Sequence, residues 1–276
     1  MWVIKKISKL FPFLKEVVRF TYSYYYLRKN INYNNDMGLY FKGPKVMSSS
    51  QFEKNELMLF NTIIPKIDCF INIGANVGYY ALFALKASKE VIAFEPDPLN
   101  FKILLQNVSK NFPDSNYHLF NSCLGSLNCI SSFYGSGLSG SLKKDWNNQS
   151  FSSQVSVNKL DDYSKLLNIK KRYYILIDVE GSEFDVLLGS TELFKFDCIF
   201  LVEITLLENW TNGKNINFLK TFELFFKHGY SAYNPNEANK KIPHNELINI
   251  YNKSSNHLQT YNYLFMREND NIDLKR

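Results

Sequence analysis

The chain has 276 residues, 45% of them apolar, which is enough to bury the core of one α/β domain with additions. Its formal charge of +6 is confined to residues 1–30, where Lys5, Lys6, Lys9, Lys15, Arg19, Arg28 and Lys29 face Glu16 alone. The rest of the chain is balanced, so it offers no basic channel for phosphates, and no nucleic-acid partner is expected.

Residues 1–50 read as a basic, aromatic helical arm and linker. Leu10, Leu14, Val17, Val18 and Thr21 recur at helical spacing, followed by Tyr22, Tyr24, Tyr25 and Tyr26. Such a helix can lie on an anionic membrane surface or cap the domain, and both readings stand. No stretch reaches about 18 uncharged apolar residues, and Lys9, Lys15, Glu16 and Arg19 interrupt any signal-peptide pattern. The expectation is a cytoplasmic protein, peripheral at the inner face of the membrane under the first reading of residues 1–30 and not under the second. Cys69, Cys123, Cys129 and Cys198 form no C-x-x-C pair, and His118, His228, His244 and His257 lack ligand spacing, so reduced thiols and no zinc site are expected.

A domain over residues 51–268, with a tail at 269–276, is expected to follow. A short strand is predicted at Leu39–Lys42 and a helix at Gln51–Ile64. Strands are predicted at Cys69–Ile73, Glu90–Glu95, Tyr117–Ser122, Tyr173–Val179 and Asp197–Ile204. Helices are predicted at Gly78–Lys86, Leu99–Lys110, Leu160–Leu167, Glu183–Gly189 and Ile216–His228. The strands are continuous apolar runs, as a parallel sheet covered on both faces requires. Residues 230–234 and 260–266 are predicted to complete the sheet as an antiparallel hairpin. Residues 125–154, rich in Ser, Gly and Asn, are more loop than packing needs and read as an inserted hairpin and loop over the ligand crevice.

The chemistry begins at Ile71-Asn72-Ile73-Gly74-Ala75-Asn76-Val77-Gly78-Tyr79, an apolar strand running into a glycine turn that opens a helix. Glu95 follows Gly74 by 21 positions, at the tip of the next strand, where a carboxylate accepts hydrogen bonds from ribose hydroxyls. The spacing is G-x-x-x-G, which gives a dinucleotide's pyrophosphate no cradle. S-adenosylmethionine, which has no phosphate, tolerates it. Farther on, Asp178 and Glu180 stand two apart at the end of a predicted strand and Glu203 ends the next. In an extended run Asp178 and Glu180 would share a side. They suit proton removal from an alcohol acceptor, or alternatively a divalent cation such as magnesium that orients it. Glu183 reads as a helix-start device.

Tyr173-Tyr174-Ile175-Leu176-Ile177-Asp178-Val179-Glu180-Gly181-Ser182-Glu183 together with the INIGANVGYY segment resembles the signatures of FkbM-type methyltransferases. Further matches are Phe94-Glu95-Pro96-Asp97-Pro98, Val157-Asn158-Lys159-Leu160-Asp161-Asp162, Leu201-Val202-Glu203-Ile204 and His228-Gly229-Tyr230, so the resemblance spans roughly residues 52 to 268. It departs at Asn72, where the family usually has Asp, and at Leu176, where it usually has Lys. The resemblance implies a doubly wound, Rossmann-like class I methyltransferase sheet, S-adenosylmethionine as cofactor and small or glycan-type acceptors, among which a sugar hydroxyl of a surface polysaccharide or its precursor is favoured. Natural-product or lipid methylation and a catalytically silent scaffold are the alternatives. In the cofactor pocket Gly74, Ala75 and Gly78 are expected on the methionine side, with Asn72 near its amine and Asn76 and Tyr79 closing over it. Glu95 is expected on the ribose, Pro96 and Asn100 beside the adenosine, and Ser122 and Cys123 near the adenine. Asp178, Glu180 and Glu203 form the expected catalytic group.

Overall fold

A computed structural model describes residues 21, 36–135, 140–147, 152–237, 240–268, 270 and 272. The expected arm helix and its tyrosine cluster lie outside them, Thr21 excepted. The first strand, β1 (Cys69–Ile73), is buried at every residue and lies inside an eight-stranded sheet. It pairs in parallel with β2 (Glu90–Phe94) on one side and β7 (Arg172–Ile177) on the other. Beyond β2 lies β3 (Tyr117–Phe120) and beyond β7 lies β8 (Asp197–Glu203), both parallel to their neighbours. The sheet ends antiparallel: β11 (Asn262–Arg267) is inserted between β8 and β9 (Tyr230–Tyr233), and β10 (Lys241–Ile242) forms the edge.

Helices cover both faces, so the expected doubly wound α/β arrangement is present. On one side α1 (Lys54–Ile63), α2 (Tyr79–Lys86) and α3 (Pro98–Asn111) pack Phe60, Leu82 and Leu104 against Phe70, Tyr174 and Leu201. On the other, α4 (Glu183–Leu188), α5 (Phe218–Lys227) and α6 (His244–Lys253) bring Val186, Phe222, Phe225 and Leu247 onto Ile71, Ile175 and Phe200. Neighbouring residues of β1 thus enter different cores, which is why its apolar run is unbroken. α3 starts on Asp97, whose carboxylate accepts from the N–H groups of Leu99 (2.8 Å) and Asn100 (3.3 Å), with Pro98 at its first position.

Three expectations change. Leu39–Lys42 is not a strand: its backbone groups are taken by the side-chain amides of α3. Asn107 accepts from Lys42 N–H and donates to Lys42 C=O, both at 2.8 Å, and Asn111 does the same for Tyr40 at 2.8 and 2.7 Å. The predicted helix at Leu160–Leu167 is a 3-10 helix over Leu160–Leu166. The insertion is more than a hairpin: β5 (Cys129–Tyr134) and β6 (Ser152–Asn158) pair antiparallel, and β4 (Cys123–Leu124) joins β6 in parallel, forming a second, three-stranded sheet. β10 and α6 fall in a stretch where no element was predicted.

The chain leaves β3 on one side of β1 and returns to β7 on the other. This reversal opens a crevice at the carboxyl ends of β1, β2, β7 and β8, the place where such sheets take ligands.

Candidate active site

A cavity of about 260 Å³ fills that crevice. Its floor is the turn after β1, where Gly74 has φ +86° and a Cβ would stand 1.8 Å from the carbonyl oxygen of Asp178, so no side chain fits. The N–H groups of Gly74 and Ala75 both donate to Phe94 C=O at 3.0 and 2.9 Å, which ties the turn to the tip of β2. Gly78 lies behind the cavity, not in its wall: it precedes α2 at φ +92°, and a Cβ there would meet Leu104 at 2.5 Å.

Glu95, 4% exposed, faces the cavity from the end of β2. Its carboxylate accepts from Asn76 N–H (2.7 Å), Asp97 N–H (2.9 Å) and Asn100 Nδ2 (3.5 Å). Burial, reinforced by the charge of Asp97, nevertheless pushes its carboxyl up to about 8. Asn100 is therefore a support behind Glu95 and does not reach the cavity wall, whereas Pro96, Ser122 and Cys123 do. Tyr79 lines the cavity but turns its hydroxyl away, donating to Ser49 C=O and Phe52 C=O, each at 3.1 Å, so it pins the segment before α1 over the site. Three buried polar atoms in the wall lack a protein partner: Asn72 Oδ1, Ser122 Oγ and Ser182 Oγ. They suit a polar ligand.

On the β7 and β8 side of β1 stand Asp178, Glu180 and Glu203. Strand alternation does not bring Asp178 and Glu180 together. β7 ends at Ile177, Glu180 takes φ +55° and Gly181 φ +95°, so a left-handed turn swings both carboxylates to the cavity. All three are half-open to the cavity yet otherwise enclosed by protein, and that enclosure raises their proton affinities. Glu203 is held well above the usual range, first by burial and then by the charge of Asp178, whose carboxyl lies within side-chain hydrogen-bonding reach. Glu180 is pushed up to about 8 by burial and then by Asp178, against the pull of the Trp146 indole N–H on its carboxylate (2.6 Å). Glu183 opens α4 but does not cap it: its carboxylate accepts from Gly181 N–H at 2.8 Å, in the turn before the helix, and the helix start has no side-chain cap. Among the described residues, no group of three His, Cys, Asp or Glu side chains is placed to hold a metal ion, so the magnesium reading of Asp178 and Glu180 gains no support.

The sequence reading missed Glu53, Phe52, Phe133, Leu142 and Ser182 in the wall. Glu53 precedes α1 at φ +44° and accepts from Tyr80 OH at 2.7 Å. Nothing in its polar surroundings, Gln51 to Asn55, distinguishes it. With Glu95, Asp178, Glu180 and Glu203 it makes five carboxyl groups, and no Lys, Arg or His stands among the described lining residues. Leu176 is part of that wall. The arrangement can accept protons and hydrogen bonds and favours cationic or neutral polar ligands over anions.

The model of the Methyltransferase FkbM domain matches residues 72–232. No curated protein matches the chain. Among solved structures it is similar to a precorrin-6y methyltransferase from Geobacter metallireducens, at 13% identity over 74% of this chain and 84% of that one, TM-score 0.42. It is also similar to an rRNA methylase from Streptococcus thermophilus, at 10% identity over 75% and 92%, TM-score 0.40. A third is magnesium protoporphyrin IX methyltransferase from Synechocystis with bound SAM, at 10% identity over 82% and 85%, TM-score 0.36.

Proposed function

Since the chain belongs to the FkbM methyltransferase family, we propose that it transfers the methyl group of S-adenosylmethionine to a sugar hydroxyl of a surface polysaccharide or of its lipid- or nucleotide-linked precursor. The observation that carries this reading is the meeting, in one cavity, of a ribose-type acid at the end of β2, beside the glycine turn, with a carboxylate cluster at the ends of β7 and β8. The cofactor fits the residues present. Glu95 would accept from the ribose hydroxyls, Gly74 and Ala75 leave room beside them, and the unpartnered Asn72 Oδ1 would accept from the methionine amine. Pro96, Ser122 and Cys123 would border the base.

When bound, S-adenosylmethionine supplies an electrophilic methyl group on a sulfonium. The chain's own part is to orient the acceptor and to take its proton. Glu180, with its proton affinity near neutrality, is the proposed base: ionised, it accepts the hydroxyl proton as the oxygen becomes a nucleophile. Burial raises the proton affinity of both Glu203 and Asp178, and together they place an acid pair beside the transfer site. A neutral hydroxylated acceptor suits the cation-free described wall, and Phe52, Phe133 and Leu142 offer apolar surface to a sugar ring.

Isothermal calorimetry tests the cofactor half. S-adenosylhomocysteine is expected to bind and NAD not; NAD binding without S-adenosylhomocysteine binding would overturn it. Transfer of labelled methyl to a panel of glycan, lipid and small phenolic acceptors tests the other half, and activity confined to the non-sugar acceptors would overturn it. For residues 1–30 the proposal is peripheral contact with anionic membrane, where lipid-linked glycans are assembled. Among the described residues no helix is long and apolar enough to cross a membrane.

A further inference from the structure

The insertion does more at the site than cover it. Its segment 140–147 reaches the turn after β7, where Ser141 Oγ donates to Glu180 C=O and Trp146 Nε1 donates to Glu180 Oε2, each at 2.6 Å. Trp146 is 1% exposed and meets Trp210 edge to face, ring centroids 5.4 Å apart. The indole also occupies the space above Gly181, where a Cβ would lie 2.6 Å from Trp146 Cε3. The segment is fastened in turn to the loop after β8. Asn147 N–H donates to Asn209 C=O (2.7 Å), Thr211 N–H to Asp145 C=O (3.0 Å) and Asn212 Nδ2 to Asp145 Oδ1 (2.9 Å).

Glu180 needs such a hold. Its backbone is left-handed, a conformation a non-glycine residue keeps only when its surroundings impose it. Its carboxylate is faced by Asp178 from the end of β7, Glu183 from α4 and Glu203 from β8, all of one charge type. We propose that the insertion is a positioning device for Glu180: Trp146 and Ser141 clamp its carboxylate and its carbonyl, so that the acid points into the cavity despite its like-charged neighbours. The choice of donor matters. A lysine at this place would form an ion pair and pull the proton affinity of Glu180 far down, whereas an indole N–H holds the carboxylate without a counter-charge and leaves it basic. The inference rests on the reading of Glu180 as proton acceptor.

The test uses full-length protein labelled at the tryptophan indole nitrogens and the glutamate side-chain carbons. Trp2, Trp146 and Trp210 give three indole signals. The Trp146 signal is expected to move with pH, with a midpoint of about 8 in the native protein, and to be pH-independent in Glu180→Gln. Trp146→Phe keeps the ring and deletes the donor, and is expected to raise the Glu180 carboxyl midpoint by about one pH unit. A purely structural indole would lower the melting temperature while leaving that midpoint in place, and this result would overturn the proposal. If Trp146→Phe fails to fold, the native signal decides: a Trp146 resonance indifferent to Glu180→Gln overturns the proposal. Calorimetry with S-adenosylhomocysteine on the same samples separates the two readings, since absent binding counts against the cofactor while the titration stands by itself.

Discussion

At the scale of single residues the site rests on acids that keep their protons unusually well. Glu95 is held by three donors while buried, so its place does not depend on a ligand. Glu95→Ala is expected to lower affinity for S-adenosylhomocysteine on the order of a hundredfold above about pH 8, where Glu95 is ionised and charge-assisted hydrogen bonds to the ribose are worth about 1.5–3 kcal/mol each at most; calorimetry measures it. Glu180 must be ionised to take a proton, so the rate is expected to rise with pH and level off above about 8. Glu180→Gln should lower kcat by about 10²–10⁴-fold and flatten that rise, read from methyl transfer to the true acceptor. Gly74, Glu95 and Asp178 were legible in the sequence because each sits at a strand end, where a few neighbouring residues define its position. Glu53 and Trp146 were not. Trp146 reaches Glu180 across 34 positions from a polar insertion without periodicity, and no local pattern encodes such a contact.

At the scale of elements, the parallel strands were legible because a strand buried on both faces must be apolar throughout, and β1, β7 and β8 read that way. The predicted strand at Leu39–Lys42 failed for a definite reason. Its backbone partners are carboxamides on α3, spaced four apart on one helical face, and they satisfy extended backbone much as a neighbouring strand would. Asn107, fully buried, also donates to Val77 C=O at 2.8 Å, joining residue 42, the glycine turn and α3. Asn107→Ala deletes three side-chain hydrogen bonds to buried backbone groups, at about 1–3 kcal/mol each. A loss of at least ~3 kcal/mol is expected in urea unfolding, together with weakened cofactor binding because Val77 belongs to the turn. The 3-10 geometry of Leu160–Leu166 escaped notice because apolar spacing over two turns does not separate it from an α-helix.

For the molecule as a whole, the acid cluster links stability to pH. Glu95 and Glu180 at about 8 and Glu183 at about 7 bind protons more tightly in the folded state than in the unfolded chain, where about 4.5 applies. Their contribution is fully present below about pH 4.5 and is lost as pH rises through 7 to 8. The melting temperature of the ligand-free protein is expected to fall across that window, and to fall less in Glu180→Gln; scanning calorimetry at several pH values decides. The charge distribution yields a second prediction. All of the formal excess of +6 lies in residues 1–30, and each cation near an anionic surface contributes about 1 kcal/mol. Full-length protein is expected to co-sediment with anionic but not neutral liposomes, less so at high salt, and to lose this when residues 1–30 are removed. If the arm caps the domain, removal instead lowers the melting temperature and liposome binding is absent throughout.

The place of β11 has a consequence for how the protein is made. It lies between β8 and β9, both of which precede it in the chain. During synthesis these two strands leave the ribosome before the strand that pairs with each of them exists, and their exposed ladders invite pairing with other nascent chains. Folding therefore cannot be completed in the order of translation: the sheet stays open on that side until residues 262–267 arrive and thread into the gap, and a message broken shortly before them would yield a chain with two further sticky edges, at β8 and β9, besides β3 and β10.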